Sequence, residues 1–275
     1  MREPSMEVVV GAKGVGKTHA TKEIIKLYIT SDHKTGWKAR PVLVFDVNNE
    51  YEGYKAIDFN INEPNIYKRA ENIRNIKVPK AYRILPYKKD KSVMSPEEYL
   101  LTVQTITTYF NNGMLVLEDI NQYIDEHLKK AFVGFIVGLR HQGADLIVHY
   151  HTIGAPPPKI WGNMTYLRLH RQTDPVSRVP RKLPNIDLIY LANSIVTRRY
   201  HEGDIYYYCW IDIYRDKLKA VSEEDLDRAC REYLQINPTI INNMMRLKDE
   251  SNNQRFTTEN DAINSWIEDR KRFLE

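Results

Sequence analysis

Cysteine is nearly absent: Cys209 and Cys230 are the only two in 275 residues, and neither sits in a paired metal-ligand spacing. That usage excludes a disulfide framework, argues against a structural zinc and fits a reducing compartment. Long apolar runs are missing as well. The best, Ala131 to Leu139, lies inside a helical pattern and falls far short of the roughly 20 residues a bilayer span requires. No integral membrane segment is expected. The start, Arg2-Glu3-Pro4, leads quickly into apolar residues and has no signal-peptide character. Charge of one sign is scarce too: 40 Lys and Arg against 36 Asp and Glu leave a formal net charge of +4, which permits polyanion binding without arguing for it. No internal repeat is present. Charged residues at 28% describe an ordinary globular chain, long enough for one large α/β domain with a modest appendage.

What the chain does have is GAKGVGKT, from Gly11 to Thr18, between the apolar run Val8-Val9-Val10 and a helical pattern over Thr21 to Tyr28. A loop leaving a buried strand needs glycine where backbone crowds a phosphate, and amides aimed inward at a helix N-terminus. Gly11, Ala12, Lys13, Gly14, Val15, Gly16, Lys17 and Thr18 are therefore expected to cradle a nucleotide. Lys17 is placed to reach the β and γ phosphates, and Thr18 to put its hydroxyl on Mg²⁺. Lys13 is an extra cation that either touches phosphate or stays solvated. Because the loop begins at residue 11, no domain is expected before it.

The pattern predicts a second buried strand over Pro41 to Asp46, a short one over Tyr82 to Leu85, and further strands over Met114 to Leu117, Leu146 to His151 and Thr165 to His170. Helices are expected from Ser95-Pro96 to Phe110, from Gln122 to His141, over Ile186 to Thr197, from Ser222 to Leu234 and over Thr258 to Phe273. Strands alternating with helices argue for an α/β core, a parallel central sheet flanked by helices, over residues 1–184. Residues 52–92, polar and rich in Asn, Lys and Pro, read as a surface insertion. Residues 185–275 read as a small α+β extension whose aromatic stretch Ile205 to Tyr214 forms a hairpin turning at Arg215-Asp216-Lys217.

Glu118-Asp119 follows four apolar residues at a strand end, where a phosphate loop needs one acid for Mg²⁺ and another group to orient water. The usual order is Asp then Glu; here it is reversed. Glu118 is assigned to the metal together with Thr18, and Asp119 to water activation, the alternative being two acids that cap the next helix. Arg140, just before the fourth long strand, is either a finger reaching a neighbour's γ-phosphate or a residue stabilising a helix C-terminus. His149 and His151 share one strand face, with His170 as a candidate neighbour. His151 reads as a polar sensor, His149 as satisfied core, and a metal site as the alternative.

Four segments, GAKGVGKT (11–18), VFDVNNEY (44–51), MLVLED (114–119) and GLRHQGADLIVHYHT (138–152), resemble the HerA/FtsK superfamily of P-loop DNA-translocating ATPases, especially viral genome-packaging ATPases and Zot-like phage proteins. Asp46, Glu50 and Tyr51 match an Asp followed by a Glu-Tyr pair, and Arg140, His141 and Gly143 match a basic stretch before a strand. His151 stands where Gln is usual. The resemblance implies a RecA-like core, catalytic roles for Glu50, Glu118, Asp119, Arg140 and His151, ATP and Mg²⁺ as cofactors, and a homo-oligomeric ring, pentamer or hexamer, around double-stranded DNA. It also implies docking on a portal or capsid vertex, in the cytoplasm of a host. The DNA contact is expected at Arg168, Arg171, Arg178, Arg181 and Lys182, with Arg198 and Arg199 nearby and Lys129-Lys130 or Lys88-Lys89 as alternatives, though any of these is equally readable as a solvated face. Tyr206 to Tyr208 and Trp210 either stack on bases or form the core of a small sheet. Rival readings are a nucleotide-binding assembly switch with little turnover, or a small-molecule kinase.

Overall fold

A computed structural model gives the fold for residues 3–88, 90–119, 129–179, 183 and 186–275, with the side chains of Lys129 and Arg140 outside that description. Among these residues the strands are β1 (Met6–Val10), β2 (Val42–Phe45), β3 (Lys55–Ala56), β4 (Ala81–Ile84), β5 (Met114–Leu117), β6 (Asp145–Tyr150), β7 (Tyr166–Leu169), β8 (Cys209–Asp212) and β9 (Lys217–Lys219). They form one sheet in the order β3-β4-β2-β5-β6-β1-β7-β8-β9. The pairs from β3 to β7 are parallel. β8 and β9 add on antiparallel.

The near-continuous apolar runs of β1, β2, β5 and β6 have a direct cause, since these strands are buried along their whole length and covered on both faces. Side chains alternate between two cores. Val9, Val44, Val116 and Ile147 pack with Ile25 and Tyr28 of the helix Lys17–Tyr28. Val8, Val10, Phe45, Leu117 and Val148 belong to the larger core on the opposite face, with Val103 and Ile106 of the helix Pro96–Tyr109. That helix starts as expected, with Ser95 and Glu98 forming a reciprocal capping box and Pro96 at its first position.

Residues 52–92 are more than surface decoration, because they supply β3 and β4, with Val42 to Phe45 in register with Ala81 to Ile84. Likewise the sheet continues past residue 184: Leu167 pairs with Ile211 on β8, and the turn to β9 carries Asp216 at φ 54°. The helix Ile186–His201 packs on Glu223–Ile236. A helix Pro238–Met245 was not expected, its Asn242-Asn243 pair breaking the apolar period. The expected helix start at Gln122 lies outside the described residues. Among the described residues a helix runs Lys129–Gly138 and tightens into a 3₁₀ turn, Leu139–Gln142, before Gly143 at φ 68°. Among the described residues no helix is long and apolar enough to cross a membrane.

Candidate active site

Topology sets the site. β6 lies between β1 and β5, so the loop after β1 and the acids after β5 stand two strand spacings apart, about 10 Å. The end of β6, with His149 and His151, fills the gap between them. All three strands are parallel and deliver their C-terminal ends to one edge. A cavity of about 540 Å³ opens there, with Gly14, Lys17 and Thr18 on one side and Glu50, Asp119 and His151 among its other walls.

The loop's glycines have separate reasons. Gly14 and Gly16 adopt φ 80° and 84°, the left-handed region that L side chains avoid, and Gly16 caps the helix Lys17–Tyr28. Gly11 sits against the neighbouring strand end, where an added Cβ would meet His170 Cβ at 2.6 Å. His170 in turn ties the loop down. Burial, helped by the Arg168 charge, pushes its pKa down to about 2, so the ring is neutral and its Nδ1–H donates to Val15 O at 3.0 Å. Ala12 N–H donates to Arg171 O at 2.9 Å. Lys17 is buried, and its Nζ donates to Gly11 O (2.8 Å) and Ala12 O (2.9 Å). Burial lowers its pKa against the opposing pull of Asp119, Glu118 and Glu50.

Glu118 is the hub opposite. Its Oε1 accepts from Thr18 Oγ1 at 3.3 Å and Tyr51 OH at 2.5 Å, and stands 3.2 Å from His149 Nδ1. Burial pushes its pKa up, but His149, Tyr51 and Thr18 outweigh that and hold it below the usual carboxylate value. The adjoining Asp119 has φ 41°, a conformation costing an L residue about 1 to 2 kcal/mol. This turn sends the two consecutive acids different ways: Asp119 lines the cavity, its Oδ2 3.3 Å from both Asn48 Nδ2 and His151 Nε2. Asp119 Oδ1 is buried with no hydrogen-bond partner among the described residues.

Beneath the cavity runs a buried polar row that sequence reasoning missed. The register sets His149, Val9 and Arg168 side by side on β6, β1 and β7, facing the helix Lys17–Tyr28, with Glu118 next in line after Leu117. Thr21, from that helix, bridges over Val9. Its Oγ1 lies 2.9 Å from His149 Nε2 and accepts from Arg168 Nη2 at 2.7 Å. Arg168 Nε closes the row with an ion pair to Glu7 Oε1 at 2.7 Å. The only sequence signal was polar residues, Glu7, His149 and Arg168, inside otherwise apolar strands.

Several expectations change. Arg168 is 0% exposed and cannot touch DNA, since its charge is consumed by Glu7. Arg178 pairs with Asp174 while its side chain stays 62% exposed, and Arg198 and Arg199 both pair with Asp225. Arg181, Lys182, Lys89 and the side chain of Lys129 lie outside the described residues, and so does the Arg140 side chain, whose backbone lies in the 3₁₀ turn before β6. His149 is buried and partnered by Thr21, as expected of a satisfied core histidine, and it also belongs to the polar row. Among the described residues no group of three His, Cys, Asp or Glu is arranged to hold a metal by itself, which removes the three-histidine alternative. Glu50 is exposed at the cavity, while Asp46 organises its turn by accepting from Glu50 N–H (2.8 Å), Tyr51 N–H (3.0 Å) and Arg83 Nη1 (3.0 Å). The 206–208 tyrosines do not act as one stripe. Tyr206 is exposed at the cavity, whereas the Tyr208 ring lies 4.9 Å from His170. Trp210 stacks on Tyr166 at 4.3 Å, as part of the sheet.

No protein-family model matches the chain. No curated protein matches it in sequence. In three dimensions it is similar to the genome packaging NTPase B204 from Sulfolobus turreted icosahedral virus 2 in complex with AMPPCP, with 13% identity, 79% of this chain and 96% of that one covered, and a TM-score of 0.51. Weaker likenesses reach B204, the DNA-packaging ATPase from Sulfolobus Turreted Icosahedral Virus (15% identity, 79% and 97% covered, TM-score 0.48), and the N-terminal domain of zonular occludens toxin from Neisseria meningitidis (12%, 61% and 76%, 0.31). The first of these, with the strand order, establishes the fold as an α/β P-loop NTPase core of the RecA-like kind.

Proposed function

We propose that this chain is a Mg²⁺-dependent ATPase that works in a homo-oligomeric ring to move double-stranded DNA, as in packaging a viral genome. One observation supports the hydrolase reading above all: Thr18 Oγ1, on the cavity wall, and Glu118 Oε1, buried just behind it, meet at 3.3 Å beside the phosphate loop. A hydroxyl and an ionised carboxylate so placed are the protein ligands a phosphate-bound Mg²⁺ takes. When bound, the ion offsets charge on the phosphate oxygens. Lys17 exchanges the carbonyls of Gly11 and Ala12 for phosphate oxygens. Asp119, which lines the cavity, orients the attacking water and takes its proton as the new P–O bond forms and the bond to the bridging oxygen breaks. His151, 3.3 Å from Asp119 Oδ2, senses that event, and Glu50 lines the same cavity.

The DNA reading draws on the fold shared with a genome packaging NTPase and on the four resembling segments. In this reading Arg140 of one protomer serves the site of its neighbour, the ring is a pentamer or hexamer, and a portal or capsid vertex protein is the docking partner. The test is phosphate release by the purified chain with and without duplex DNA. Release stimulated by DNA, abolished by Lys17→Ala while DNA binding survives, supports the motor. Nucleotide binding with negligible release and no response to DNA assigns the assembly switch instead.

A further inference from the structure

The structure assigns Tyr206 as the stacking platform for the base of a purine nucleotide in this cavity. The assignment deepens the nucleotide reading above and rests on it.

Tyr206 comes from far along the chain, yet it lines the same cavity as Lys17 and Thr18. Its approach depends on Gly16: a Cβ at that position would meet Tyr206 Cδ1 at 2.9 Å. The ring therefore lies directly against the left-handed glycine that starts the phosphate helix. At 59% exposed, it is a large aromatic surface that the fold itself does not bury. Packing does not account for it.

The two residues after it anchor its segment. Tyr207 points the other way, its OH donating to Ala220 O at 2.8 Å, with the Arg199 guanidinium 5.6 Å from its ring centre. Tyr208 turns back beneath the loop, 4.9 Å from the His170 ring that bonds Val15 O. Two anchored neighbours thus tether the backbone that presents Tyr206 beside the cavity. His19 and Lys13 line the adjoining wall. Phosphates held by the amides after Gly11 leave the ribose and base to run outward past Gly16, across an exposed aromatic face. A purine, with the larger π-surface, gains most from such stacking.

Calorimetry on the full chain with Mg²⁺ tests this, using ATP and inorganic tripolyphosphate as two probes. Wild type is expected to bind ATP more tightly than tripolyphosphate. Tyr206→Ala is expected to weaken ATP by about 10-fold, within the range for losing one stacked base, and to leave tripolyphosphate unchanged. Tyr206→Phe, which keeps the ring, is expected to retain ATP affinity. Equal loss for both probes, or no loss for either, overturns the platform while the phosphate site stands. Failure of wild type to bind either probe removes the nucleotide reading itself, and the platform with it.

Discussion

His149 Nδ1 stands 3.2 Å from Glu118 Oε1, and both side chains are only 1% exposed. A second ring nitrogen on Thr21 fixes the imidazole, so His149 acts on the carboxylate from behind, as a positioning residue. His149→Ala is expected to lower kcat by roughly 10- to 100-fold and to raise the Mg²⁺ needed for half-maximal phosphate release, while nucleotide affinity without metal changes little. A Mg²⁺ titration of steady-state release reads both. An unchanged midpoint with only a lower Tm would reduce His149 to packing.

Arg168 answers a different question. Removing one partner of a buried ion pair leaves the other uncompensated, which typically costs about 3 to 5 kcal/mol. Arg168→Leu should destabilise the fold on that scale in urea melts, because Glu7 stays buried in β1. Adding Glu7→Leu should recover much of the loss. A cost under about 0.5 kcal/mol for the single change, the range of an ordinary surface site, would contradict the buried pair.

Much of this molecule was legible beforehand, for one reason: strands buried on both faces must be apolar throughout, and β1, β2, β5 and β6 each announced themselves that way. The phosphate loop was legible because glycine at positive φ and a lysine in the helix's first turn have few other uses. Edges were harder. Lys55–Ala56 is a strand only because β4 offers it a partner, and no local pattern encodes that. Charged residues misled most. Arg168 and Arg178 were read together as one basic cluster, yet one pairs with Glu7 in the core and the other with Asp174 at the surface, and the register names the buried partner. His149 stood out as a polar residue in an apolar strand, but its partners did not, since they come from the segment after a different strand and from a helix.

Asp119 carries both a left-handed backbone and a buried oxygen without a partner among the described residues, each of which opposes folding. Asn tolerates the left-handed region about as well and carries no charge. Asp119→Asn is therefore expected to preserve or raise stability by up to about 1 kcal/mol while cutting phosphate release by roughly 10² to 10⁴. Denaturant melts and a turnover assay on the same sample decide it. Loss of fold with loss of activity would mean the carboxylate is structural.

Acid sensitivity follows from His170. Its folded pKa of about 2 lies far below the ordinary 6.5, so between those values the unfolded chain takes up a proton that the native chain refuses. The unfolded state then binds more protons, and stability falls as pH falls, by up to about 1.4 kcal/mol per pH unit once below 6.5. Above 7 both states are neutral at this ring and it contributes no slope. The effect should reach the cavity first, because the same ring holds Val15 O and packs against Gly11 and Tyr208. His170→Asn removes the titrating group. Its unfolding free energy should be lower at pH 7.5 yet decline less steeply between pH 6.5 and 5 than that of wild type, in urea melts taken across that window. Parallel slopes for the two proteins would show that other groups, not this buried imidazole, set the acid limb.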